Sequence, residues 1–126
     1  MAARSRALRS SAPIFAALGD ETRLRLVARL CTGGPQSIAR LTVGSEITRQ
    51  AITKHLLVLA DAGLVRGMRQ GRESRWELAP EQLEVARRYL DLISEQWTRR
   101  LYALERHLET MPDTKALTTK RRKNPE

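Results

Sequence analysis

Two hydrophobic periods alternate along this chain, and glycines and prolines separate them. Leu24, Leu26, Val27, Leu30 and Cys31 recur at helical spacing after a potential cap at Asp20, and Gly33-Gly34-Pro35 ends the run. A short segment, residues 36 to 42, sets Ile38 and Leu41 three apart, as on one helix face. Gly44 breaks the chain, and Thr48 then stands as the cap of a helix with Ala51, Ile52, Leu56, Leu59 and Ala60 on one apolar stripe. Gly63 ends that stripe. From Leu64 to Leu78 the period changes to that of strands, with Trp76 and Leu78 alternating with Arg75 and Glu77. Gln70-Gly71-Arg72-Glu73 supplies the turn of this hairpin, and Pro80 suits the start of another helix.

That last helix, from about Glu81 to Glu109, is the longest element. Leu83, Ala86, Leu90, Ile93, Trp97, Leu101, Leu104 and Leu108 recur along it at spacings of three and four. At 1.5 Å per residue it is on the order of 40 Å long, more than one small domain can cover. A bent helix wrapped on its own core is one solution. The preferred one is an apolar seam shared with a second copy, built from Leu83, Leu90, Ile93, Trp97, Leu101 and Leu104.

Composition narrows the function. The chain has 126 residues, 23 Lys+Arg against 14 Asp+Glu, and a formal net charge of +9. This length suits one domain, expected over residues 12–111, between a basic N-terminal arm (residues 1–11) and a basic, disordered tail (residues 112–126). The balance favours a polyanionic partner, nucleic acid before an anionic membrane. Aromatics are 4% of the residues, too few for a single-strand stacking surface. One cysteine excludes a disulfide framework. The apolar run Ala12–Leu18 follows Arg4, Arg6 and Arg9 but stops at Gly19-Asp20, so it is not read as a secretory signal, and nothing approaches a membrane span. A cytoplasmic protein is expected.

The charge is unevenly placed. Residues 49–75 hold six basic side chains against Asp61 and Glu73, while the rest of the expected domain sums to −1. A short helix, a turn, a second amphipathic helix and a basic hairpin outline a winged helix-turn-helix, mainly α with a small β-hairpin wing. With Ile52, Leu56 and Leu59 turned inward, the second helix presents Arg49, Gln50, Thr53 and Lys54 outward. These side chains suit base edges in a major groove: Arg for guanine, Gln for adenine, Thr for a hydrogen bond or a thymine methyl. Arg69, Arg72 and Arg75 would hold the wing to the backbone. A hairpin whose arginines only confer solubility is the plainer alternative, and the adjacent helix pair weighs against it.

Phe15-Ala16-Ala17-Leu18-Gly19-Asp20-Glu21-Thr22-Arg23-Leu24-Arg25-Leu26 resembles the opening of ArsR-type transcriptional regulators, and residues 47–56 resemble their recognition helix. Leu59-Ala60-Asp61-Ala62-Gly63-Leu64-Val65 is similar to their entry into the wing, and Arg69-Gln70-Gly71-Arg72 to the wing itself. The resemblance, over about residues 14–108, implies a homodimeric repressor on a palindromic operator, with the first and last helices at the dimer interface. It also sets Thr48 among the DNA-facing positions, and His55, which matches the family's recognition-helix histidine, as a packing residue or a phosphate contact for DNA.

The same resemblance bears on sensing. Ser37 and Ala39 stand where metal-sensing relatives carry a thiolate pair, and neither replaces a soft sulfur ligand. His107, with Glu105 and Glu109 nearby, reads as a solvent-facing histidine rather than a zinc ligand. Cys31 reads as a buried thiol in its stripe, and Tyr89 and Trp97 as packing residues. No cofactor and no metal site are expected, no effector is legible, and two histidines and one cysteine offer no paired nucleophile and base. The alternatives to a plain repressor are a ligand- or redox-released sensor and a non-specific architectural protein.

Overall fold

The computed structural model describes residues 2–110. Its elements follow in the order α1 (Ala2–Leu18), α2 (Glu21–Gly33), β1 (Gln36–Ser37), α3 (Ile38–Thr42), α4 (Arg49–Asp61), β2 (Val65–Gln70), β3 (Glu73–Leu78) and α5 (Pro80–Glu109). Residues up to Tyr89 form one compact unit, and a second begins at Leu90.

Local chemistry sets the helix ends. The Asp20 carboxylate accepts the Arg23 N–H at 3.1 Å, and Thr48 Oγ1 accepts the Ala51 N–H at 3.2 Å, so α2 and α4 start where side chains satisfy orphan donors. Ser37 does the same for α3, accepting the Arg40 N–H at 3.2 Å. Gly63, at φ +78°, lets the chain leave α4 with the Leu64 N–H bonded back to the Leu59 carbonyl at 2.9 Å. In the hairpin Gln70 pairs with Glu73, leaving Gly71 and Arg72 as a two-residue loop; Gly71 sits at φ +65° in the first position, where this tight turn favours glycine.

The core of the first unit is one cluster. Ile14 and Ala17 of α1, Leu26 and Leu30 of α2, Leu41 of α3, and Ile52, Leu56 and Leu59 of α4 meet Leu64, Val65 and Ala86. The three strands form an antiparallel sheet in the order β1-β3-β2. Val65 pairs with Leu78 and Gly67 with Trp76, so the inward face of the hairpin closes on this core. The Ala79 N–H donates to the Leu64 carbonyl at 2.8 Å and ties off the hairpin base.

Four expectations change. The segment read as an N-terminal arm is helical in its described part, because Ser11, Ile14 and Ala17 recur every three residues and bury one side of α1. The expected tail lies outside the described residues. Cys31 is exposed rather than buried. At about 100° per residue, Leu26 and Leu30 point one way while Leu24 and Cys31 share the opposite side of α2, where Leu24 is also exposed. Leu83, expected at a dimer seam, packs instead against the core of the first unit. The segment after Gly34 is only partly helical, since Gln36 and Ser37 first pair with Trp76 and Arg75 as a third strand.

Candidate nucleic-acid interface

Burying Ile52, Leu56 and Leu59 decides what α4 offers to solvent. Arg49, Gln50 and Lys54 are exposed and Thr53 half-exposed on the opposite side, together with Thr48 at the cap. The Thr53 hydroxyl donates to the Arg49 carbonyl at 2.8 Å, so its lone pairs and methyl remain for a partner. Leu57 joins this face at 55% exposure. The sequence reading passed over it, although spacings of three from Lys54 and four from Thr53 set it on this side.

His55 does not join that face. Its Nδ1 lies 3.2 Å from an Arg23 guanidinium nitrogen and 3.9 Å from the Asp20 carboxylate, at the junction of α2 and α4. Arg23 also donates from Nε to the Ala17 carbonyl at 2.6 Å. One guanidinium therefore ties the end of α1, the start of α2 and α4 together. The hydrogen bond from the Arg23 backbone N–H holds the Asp20 carboxyl below the usual carboxylate range; desolvation opposes it, and the Arg23 and His55 charges add smaller lowering effects.

A second guanidinium holds the turn between α3 and α4. Arg29 reaches across from α2 and donates to the carbonyls of Leu41 at 2.6 Å, Arg40 at 2.9 Å and Val43 at 3.4 Å. These are the last carbonyls of a five-residue helix and of the residue after it. Neither Arg23 nor Arg29 was singled out from sequence as a positioning group. Each is one of several arginines interspersed among the apolar residues of α2, with no local signal to mark it.

The wing arginines separate by face. Strand alternation puts Arg69 on the side of Val65, Gly67 and Trp76, and Arg66 and Arg75 on the other side with Met68. Arg66 is bonded to Glu77 at 2.7 Å, with Glu81 at 3.9 Å. Arg75 lies 3.5 Å from Glu73 and pairs in register with Ser37, so it belongs to the sheet's outer surface. Arg69 and Arg72 at the tip have no ion pair among the described residues. The expected trio Arg69, Arg72 and Arg75 is thus two residues at the tip and one further back.

In the second unit Leu90, Ile93, Trp97, Leu101 and Leu104 are all exposed, at 45% or more. Tyr102 is exposed as well. Tyr89, in the first unit, packs its ring against Phe15 with centroids 6.3 Å apart.

Comparison with known proteins agrees with this geometry. A helix-turn-helix domain family matches residues 18–67. An uncharacterised HTH-type transcriptional regulator of Bacillus subtilis, YuzN, is 45% identical over 65 residues, covering 47% of this chain and 71% of that protein. The arsenical resistance operon repressor of the same organism is 32% identical over 80 residues, covering 64% and 76%. An ArsR-like transcriptional regulator from Rhodococcus sp. RHA1 superposes with a TM-score of 0.71 at 38% identity, over 82% of this chain and 97% of that one. The chain belongs to the ArsR family of transcriptional regulators.

Within this ArsR-family regulator, the segment that could have carried a thiolate pair is used structurally. Ser37 caps α3, and Ala39 is exposed. His107 is exposed near the end of α5. Among the described residues no three His, Cys, Asp or Glu side chains gather as a metal site would need, and no helix is long and apolar enough to cross a membrane.

Proposed function

We propose that this ArsR-family regulator is a homodimeric repressor that reads a palindromic duplex through α4 and steadies itself with the wing tip. The observation that carries the reading is the outward face of α4. Arg49, Gln50, Thr53 and Lys54 sit there with no acidic side chain among them, in a helix-turn-helix braced by Arg23 and Arg29. A major groove admits such a helix, and these residue types match the donors and acceptors of base edges. Arg69 and Arg72 would meet phosphates, with Leu57 available to a thymine methyl. Thr48 and the first N–H groups of α4 suit a phosphate at the groove's edge.

Homodimerisation rests on Leu90, Ile93, Trp97, Leu101 and Leu104. An apolar series at heptad-like spacing left open to water costs free energy that a second copy would recover. Two recognition helices would then occupy successive major grooves, roughly 34–36 Å apart, and occlude a promoter. Selection of bound sites from random duplex DNA, followed by a salt series on the winner, tests this reading. A palindromic winner is expected. Equal affinity for all duplexes would refute the sequence-reading role and favour a non-specific architectural protein.

A further inference from the structure

Away from the α4 face, two arginines converge on one small cleft. It measures about 210 Å³ and is lined by Gln36 and Ser37 of β1, Arg40 of α3, and Glu73 and Arg75 of β3. Its walls are held from three directions. Ser37 pairs in register with Arg75 across the β1–β3 ladder, and Ser37 Oγ accepts the Arg40 N–H at 3.2 Å. The Gln36 side-chain amide donates to the Arg29 carbonyl at 2.8 Å, which fixes the floor to α2.

The donors in this cleft exceed the acceptors. Arg75 Nε is shielded from solvent and has no hydrogen-bond partner. A guanidinium N–H withdrawn from water and left unpaired is costly, and such groups ordinarily find an acceptor. The terminal nitrogen of Arg75 has only a long contact, 3.5 Å, to Glu73. The exposed Arg40 side chain makes no ion pair or hydrogen bond among the described residues. The Ser37 oxygen is used as an acceptor and keeps its proton to donate. Two guanidiniums and one hydroxyl therefore face a single carboxylate.

We propose that this cleft binds a small oxyanion, a phosphate or carboxylate group, held by Arg40, the terminal guanidinium nitrogens of Arg75 and the Ser37 hydroxyl. Planar guanidinium donors suit such oxygens. The volume falls below the roughly 300–1,000 Å³ of pockets for drug-sized ligands, so the group is small or is the anionic end of a larger molecule. Glu73 opposes binding and sets its strength. Because Arg40 lies on α3 and Arg75 on the wing strand, the bound group bridges the first helix of the helix-turn-helix to the wing.

The test is an NMR titration of the full chain with inorganic phosphate against chloride at constant ionic strength. Saturable shifts are expected at Ser37, Arg40 and Arg75. Arg40→Ala should weaken binding about tenfold, the loss of one charge-assisted contact. Glu73→Gln should strengthen it severalfold, an opposite change that general unfolding cannot produce. Absence of saturation, or identical titrations for wild type, Arg40→Ala and Glu73→Gln, would overturn the site. Repeating the titration with bound duplex separates the sources of the group. Reversal of the phosphate shifts by duplex assigns the cleft to the nucleic-acid backbone, and their persistence assigns it to a free anion. The site is independent of the DNA reading, since phosphate binding is measured without duplex.

Discussion

Removing the Arg29 guanidinium isolates the contribution of one side chain to the helix-turn-helix. α3 has five residues, too few to hold a helix by its own hydrogen bonds. Its end is held from α2 by Arg29 bonds to the Leu41, Arg40 and Val43 carbonyls at 2.6, 2.9 and 3.4 Å. The Leu41 bond is partly buried and short, while the other two are exposed and water can replace them. Charge-assisted bonds of this kind contribute about 1.5–3 kcal/mol, so one retained bond and two discounted ones give a loss of about 2 kcal/mol in Arg29→Ala. Arg29→Lys should recover less than half of that, because a single ammonium cannot match a planar fork spanning two carbonyls. Urea unfolding followed by circular dichroism measures the loss, read as a lower midpoint at unchanged slope. Where both proteins are fully folded, duplex affinity should still fall in Arg29→Ala, because the turn that sets α4 has lost its brace. A stability loss below about 0.5 kcal/mol would place Arg29 among ordinary surface side chains and refute the reasoning.

Three further outcomes follow from the geometry. Gly63→Ala should lose about 1–3 kcal/mol in the same unfolding assay, because Gly63 sits at φ +78° and the added Cβ would lie 2.7 Å from Gln82 Cγ. The Asp20 carboxyl is held below its usual range mainly by the Arg23 backbone N–H, so its stabilisation is present above the unfolded-state pKa and is lost as pH falls through the lower folded one. Asp20→Asn, which still caps the helix but does not titrate, should show a flatter fall in stability on acidification, with part of the slope remaining because Arg87 and Arg88 also depress Glu84. For the proposed homodimer, Leu101→Glu should convert dimer to monomer in sedimentation equilibrium with an unchanged thermal signal from the first unit, and an unshifted mass would remove Leu101 from the proposed interface.

Much of the first unit was legible before any coordinates. Thr48 marked the start of α4 because a hydroxyl before an apolar stripe has one local use, to take an orphan N–H. Gln70-Gly71-Arg72-Glu73 marked the hairpin because a two-residue loop favours a glycine at positive φ. α1 was not legible as a helix, since its buried side is made of Ser11, Ile14 and Ala17, and serine and alanine give little hydrophobic signal. β1 was hidden for a different reason. Two residues carry no period, and Gln36 and Ser37 become a strand only because β3 is beside them.

The sequence by itself determined the order of the elements from α2 onward apart from β1, the caps at Asp20 and Thr48, the hairpin turn, and the outward residues of α4, because those depend on neighbours within a few positions. It also placed the excess positive charge between Arg49 and Arg75. Tertiary structure alone decided what each arginine does. Arg23 and Arg29 became braces because α1, α3 and α4 bring unpaired groups within reach. Arg66 was neutralised by Glu77 across the ladder, Arg69 and Arg72 stayed open, and Arg75 was turned toward Ser37. A guanidinium's role depends on which acceptors lie within about 3 Å of it, and packing supplies those from distant parts of the chain.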